Sequence, residues 1–260
     1  MVKGVISDID RGQCPQGQQG NAQWLWNRPV GATRGCLILA HGAGAPMDSP
    51  FLQTMAESLA ARGLAVLRFE FAYMALRRSG GGKRPPNPQA QLLEQWRQVY
   101  QLVRQTVAGP VAIGGKSMGG RMASLLADEL AADALVCLGY PFYAVGKPEK
   151  PRVAHLAELA TPTRIVQGER DALGNRQAVE AYSLAPSIEL YWLTAADHDL
   201  KPLKASGCTH EQHLESAAAK VAAFQQAQGA LSGSLSRLLA NVEAYPNLRS
   251  QEAFQTFMAQ

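Results

Sequence analysis

Val111-Ala112-Ile113-Gly114-Gly115-Lys116-Ser117-Met118-Gly119-Gly120-Arg121 is the stretch on which the fold turns. A short apolar run, entered through Gly109-Pro110, gives way to glycines and then to helical spacing over residues 118–130. The run reads as a strand and the sequel as a helix, with Ser117 at the turn between them. Gly115 and Gly119 stand two residues before and after the serine, keeping Cβ atoms out of a crowded turn. Such a turn lifts a serine hydroxyl out of a sheet, and the backbone N–H of the next residue, Met118, is left at a helix start. A helix cap in a glycine-rich turn is the plainer reading of Ser117. The apolar strand before it and the apolar helix after it favour a nucleophile. A phosphate-binding loop is excluded, because the spacing GxxxxGK[ST] is absent.

Outward from this point, short apolar runs alternate with helical patterns. Strands are expected at 36–40, 64–71, 111–113, 134–138, 163–166 and 188–193. Helices are expected at 51–62, 89–107, 118–130 and about 211–228. The alternation implies parallel strands joined by right-handed crossovers, with helices on both faces. A mostly parallel α/β sheet takes ligands beyond the carboxyl ends of its strands, so reactive residues should follow the strand runs directly. Residues 77–88 hold three consecutive glycines and three prolines and read as a mobile loop. Residues 140–162 are the one long link of the second half, with a short helix at 153–159 and no room for a large lid.

The composition fits a single domain. There are 260 residues, 47% hydrophobic and 18% charged, which is ample material for one core. The formal charge of +4 is small and scattered, which argues against nucleic acid as a partner. The first eleven residues lack the apolar core of a secretory signal, and the longest apolar stretches are too short to span a bilayer. A cytoplasmic protein without membrane insertion is expected. Cys14, Cys36, Cys137 and Cys208 are far apart and form no CxxC, so neither a disulfide framework nor a zinc site is expected.

A serine hydroxyl needs a histidine to take its proton. His198, in Ala195-Ala196-Asp197-His198-Asp199, follows the last strand run, where the order Ser…Asp…His puts the base. Asp171 follows the strand at 163–166 and is the candidate carboxylate, with Glu169 two residues away as its rival. His41 ends the strand at 36–40, and its loop, His41-Gly42-Ala43-Gly44, has the small residues that let N–H groups approach an oxyanion. The N–H groups of Ala43 and Met118 are the candidate oxyanion hole. Asp48 is a candidate partner for Arg121. His155 reads as structural or exposed, and His210 and His213 as a solvated helix face. No metal site and no cofactor are expected.

Leu39-Ala40-His41-Gly42-Ala43-Gly44, Ala112-Ile113-Gly114-Gly115-Lys116-Ser117-Met118-Gly119-Gly120-Arg121, Leu138-Gly139-Tyr140-Pro141-Phe142, residues 161–174 and Thr194-Ala195-Ala196-Asp197-His198-Asp199-Leu200 occur in this order. Together they resemble the bacterial α/β-hydrolase family related to dienelactone hydrolases. That group includes the hydrolase-like domains of testis-expressed proteins and of a non-specific-lethal chromatin-complex subunit. The resemblance covers roughly residues 20–229 and implies an α/β-hydrolase fold with Ser117, Asp171 and His198 at the triad positions. Dienelactone hydrolases proper carry a cysteine nucleophile, so their lactone specificity does not transfer. The chromatin relatives are thought of as scaffolds, so the fold does not guarantee turnover.

The tail resembles a piece of a LemA-family protein. Leu231, Leu235, Leu238, Leu239 and Val242 suggest an amphipathic helix ending near Pro246. The expected organisation is a hydrolase domain over 1–229 and a helical extension over 230–260, packed on the hydrolase or on a second copy as a homodimer. The expected function is hydrolysis of an ester or related acyl bond in a small-molecule acyl substrate, through an acyl-enzyme. A thioesterase or peptidase would use the same residues. The competing expectation is an interaction protein that keeps the fold without the activity.

Overall fold

In the computed structural model, residues 10–13 and 23–244 are described. Among them, β1 (Asp10–Gln13), β2 (Gln23–Asn27), β3 (Gly35–Ala40), β4 (Leu64–Phe69), β5 (Val111–Lys116), β6 (Ala134–Leu138), β7 (Thr163–Gly168) and β8 (Ile188–Leu193) form one sheet. Its order is β1-β2-β4-β3-β5-β6-β7-β8. From β4 to β8 every neighbouring pair is parallel, while β1 and β2 are added antiparallel at the β4 edge. β3, β4, β5 and β6 are apolar almost throughout, as strands covered on both faces must be.

The helices are α1 (Pro50–Ala60), α2 (Ala72–Arg78), α3 (Gln89–Thr106), α4 (Met118–Ser124), α5 (Arg176–Val179) and α6 (His210–Ala244). One face of the sheet packs against α3 and α4. There Trp96 of α3 is fully buried and meets Phe69 edge-on, with ring centres 4.8 Å apart. The other face packs against α1 and α6, through Leu52, Met55 and Leu59 against Leu214, Val221 and Phe224. α3 buries Leu92, Trp96, Val99, Tyr100 and Val103, a three-and-four spacing that makes one apolar stripe.

The chain runs from β3 to β4 in one direction and later places β5 on the opposite side of β3. The order therefore reverses between β3 and β5, which opens a crevice over their carboxyl ends. His41 leaves β3 there and Ser117 leaves β5.

Two points differ from the sequence reading. The strand expected to reach residue 71 stops at Phe69, and α2 fills residues 72–78. Its residues are ordinary helix formers, and Phe71, in extended backbone, starts the helix. The short hairpin of β1 and β2 was not read, because strands of four and five residues carry little pattern. α6 passes through Gly229 and Gly233 as one helix, so the junction expected at 229/230 shows no break in the backbone. Pro246 and the residues after it lie outside the described residues. So does Cys14.

Candidate active site

Ser117 sits at φ 53°, ψ −118°, a backbone conformation that a residue with a Cβ adopts only under strain. Surrounding bonds hold it there. Its N–H donates to the Leu138 carbonyl at 3.0 Å, and its carbonyl accepts from the N–H of Arg121 at 3.0 Å. The turn also needs room. A Cβ on Gly119 would fall 2.6 Å from the carbonyl oxygens of both Ala40 and His41. α4 can thus lie against the end of β3 only with glycine at that position.

His198 Nε2 stands 2.9 Å from Ser117 Oγ, and His198 Nδ1 stands 2.8 Å from Asp171 Oδ2. Because a carboxylate accepts the Nδ1–H, Nε2 is the basic nitrogen facing the hydroxyl. Asp171 has no exposed surface. Its Oδ2 also accepts from Gln167 Nε2 at 2.8 Å, and its Oδ1 from the N–H of Leu173 at 2.7 Å. Gln167 is itself locked, since its Oε1 accepts the N–H of Tyr140 at 2.7 Å. Glu169, the rival, is turned elsewhere. It caps the N–H of Ala195 at 2.9 Å and pairs with Arg176 at 3.0 Å, and these bonds hold its carboxyl below the usual carboxylate range. Of the two carboxylates, Asp171 is the one brought to the histidine.

The loop that carries His198 is held carbonyl by carbonyl. Asp197 Oδ1 accepts the N–H of Asp199 at 2.9 Å and of Lys201 at 3.0 Å. His210 Nε2 meets the Asp199 carbonyl at 2.8 Å, and His213 Nδ1 meets the Leu200 carbonyl at 3.1 Å. These two histidines were expected on a solvated helix face. Instead His213 is buried, and both face the loop because α6 starts directly beneath it. Gly139 has φ +64°, and a Cβ there would lie 2.8 Å from the His198 carbonyl oxygen. Sequence reasoning missed Gln167, His213 and Gly139. Only Gly139 left a signal, as a glycine directly after a strand.

The loop after β3 is fixed by buried charge. Arg68, with no exposed surface, donates to the Met47 carbonyl at 2.9 Å and to Asn27 Oδ1 at 2.8 Å. Burial brings its guanidinium pKa down to about 10. Glu70 accepts the N–H of Met47 at 3.3 Å, and Arg78 bridges Glu70 and Asp48 at 2.6 and 2.7 Å. The expected pairing of Asp48 with Arg121 is therefore not found. Asp48 is taken by Arg78, which lowers its pKa, while Arg121 reaches Gln89 Oε1 at 3.4 Å. Tyr73 Oη donates to the Ala43 carbonyl at 3.0 Å. The N–H groups of Ala43 and Met118 have no acceptor among the described residues.

His41 itself is fully buried, with Nδ1 2.6 Å from the Gly42 carbonyl and Nε2 accepting the N–H of Phe71 at 3.0 Å. Burial pushes its pKa down to about 4, so it braces the loop as a neutral ring. A second serine–histidine contact lies nearby. Ser124 Oγ and His155 Nε2 are 2.8 Å apart, and the Ser124 hydroxyl donates to the Arg121 carbonyl at 2.8 Å. Burial, with Arg121 close by, lowers the His155 pKa. An apolar cavity of about 680 Å³, lined by residues such as Trp24, Trp26 and Val107, opens at the amino ends of the strands and shares no residue with the site.

This architecture and crevice define an α/β hydrolase. The chain belongs to the alpha/beta hydrolase domain family, whose model matches residues 33–226. Residues 194–260 also match the LemA family model, which overlaps the first match. Among solved structures, the chain is similar to an alpha-beta serine hydrolase homologue from Coxiella burnetii, at 19% identity and TM-score 0.64. That match covers 84% of this chain and 99% of that one. A serine hydrolase without a lid from Xanthomonas campestris matches at 18% identity and TM-score 0.62, covering 84% and 97%. A dienelactone hydrolase from Anabaena variabilis matches at 22% identity and TM-score 0.62, covering 84% and 96%. Among the described residues no helix is long and apolar enough to cross a membrane.

Proposed function

We propose that the chain is a serine hydrolase of esters or related acyl bonds, acting through an acyl-enzyme. The observation that carries this reading is the unbroken line from Asp171 through His198 to Ser117 Oγ, at 2.8 and 2.9 Å. Ser117 attacks the acyl carbonyl while His198 Nε2 takes its proton, and Asp171 stabilises the imidazolium that forms. The N–H groups of Met118 and Ala43, without acceptors among the described residues, receive the developing oxyanion. His198 then protonates the leaving group, and water enters to release the acid by the same route. Relatives named as serine hydrolases and a dienelactone hydrolase support the chemistry by analogy of fold. With a serine in place of cysteine and no large lid among the described residues, small accessible acyl substrates suit the site better than a dienelactone.

The test is labelling with a fluorophosphonate, followed by peptide mass analysis and by hydrolysis of p-nitrophenyl esters of increasing chain length. Label on Ser117 and turnover of short esters are expected. An intact, folded protein that takes no label on Ser117 would sink the reading and leave the interaction-protein alternative.

A further inference from the structure

Lys116 immediately precedes the nucleophile, and the mechanism above does not use it. Its side chain is 9% exposed. Nζ donates to the backbone carbonyl of His198 at 2.7 Å and pairs with Asp199 Oδ1 at 3.2 Å. The ring of Phe51 lies under it, 5.3 Å from Nζ to the ring centre. Gly139 leaves the space, for a Cβ there would crowd both the His198 carbonyl and Lys116 Nζ, at 2.8 and 3.2 Å.

We propose that Lys116 is a positioning residue that ties the loop of the base to the strand of the nucleophile, setting the Ser117–His198 distance. The proposal rests on the triad reading given above. One residue carries both ends of the tie. Its backbone is the link to Ser117, and its ammonium holds the carbonyl of His198. Every other carbonyl from Ala195 to Leu200 is held by a group from the loop itself, from α6 or from the turn after β7. Only the carbonyl of His198 is held from the strand that carries the nucleophile. Burial costs the ammonium solvation and draws its pKa down, and Asp199 opposes this as its counter-ion. A misplacement of about 1 Å in such a pair costs about 10²-fold in rate.

The experiment compares Lys116→Met with Lys116→Gln, both neutral and of similar length, the second still a hydrogen-bond donor. Because the natural substrate is unidentified, the probe is a fluorophosphonate, with its maximal inactivation rate kinact and its half-saturating concentration KI measured separately. Lys116→Met is expected to lower kinact about 10²-fold with KI unchanged, and Lys116→Gln to recover about tenfold of that loss. A kinact for Lys116→Met within twofold of the wild type, or equal losses in the two variants, would overturn the proposal. If Lys116→Met does not fold, Asp199→Ala at an exposed position carries the test. It is expected to lower kinact about threefold, and an unchanged value overturns the proposal. Failure of the triad reading looks different, since the wild-type protein itself would then take no label.

Discussion

Two serine–histidine pairs lie one helix apart, and the shorter contact belongs to the pair that is not the proposed site. Ser124 and His155 meet at 2.8 Å, Ser117 and His198 at 2.9 Å. Distance does not separate them, but their surroundings do. Ser124 is 2% exposed and spends its proton on the Arg121 carbonyl, so His155 must donate to it rather than accept. No carboxylate meets His155 among the described residues, and the charge that acts on it, that of Arg121, is positive. Ser117 instead sits on strained backbone above two unclaimed N–H groups, and its histidine is backed by a buried carboxylate. A serine–histidine bond becomes a reactive site only when the histidine can accept and the imidazolium it becomes is stabilised.

The largest expected effect is that of Ser117→Ala, which should cut p-nitrophenyl ester hydrolysis by about 10⁴-fold or more and abolish labelling. Asp171→Asn, which favours the wrong tautomer of His198, should cost about 10³- to 10⁴-fold in kcat. Glu169→Gln in the same assay should stay within about tenfold of the wild type, and a loss as great as that of Asp171→Asn would exchange their roles.

The next effect concerns the histidines held neutral. The folded-state pKa of His41 is depressed from 6.5 to about 4, and that of His155 moves the same way. The unfolded chain therefore binds more protons at mildly acidic pH. The stabilisation is present in full above about pH 6.5 and is lost as pH falls toward 4, by roughly 3 kcal/mol for His41. Urea titrations between pH 7.5 and 4.5 would show it, and a stability curve flat across that range would contradict a neutral, buried His41. The smallest effect is that of Ser124→Ala. It should cost about 1–3 kcal/mol of stability through the unsatisfied groups it leaves, with labelling of Ser117 unchanged. A large loss of labelling there would make the two pairs one system.

Much of this comparison was legible in the sequence, and the reasons are local. The turn at Ser117 is built from consecutive residues, so its glycines and flanking apolar runs show in one short stretch. Asp171 and His198 stood out as candidates because each follows directly on a strand run. Choosing Asp171 over Glu169 needed the path of residues 194–196, which gives Glu169 a backbone N–H to cap. Arg78, Gln167 and His213 act across gaps in sequence that no periodicity marks, through contacts made only once the strands are ordered. α2 was hidden because its seven residues lie between an apolar strand and a glycine-rich loop.

α6 carries the hydrolase match and the LemA-like match on one unbroken rod. A helix transmits rotation, turning about 100° and advancing about 1.5 Å with each residue. The orientation of the backbone beyond residue 230 is therefore set by Val221, Ala222 and Phe224, where the helix is anchored to the core. One residue inserted after Gln228 would swing the rest of α6, as far as Ala244, by about 100°, whereas seven would return it to within about 20° of its original heading. The length of this junction is thus an angular setting, and natural changes in it would re-aim the end of α6 without touching the crevice over β3 and β5.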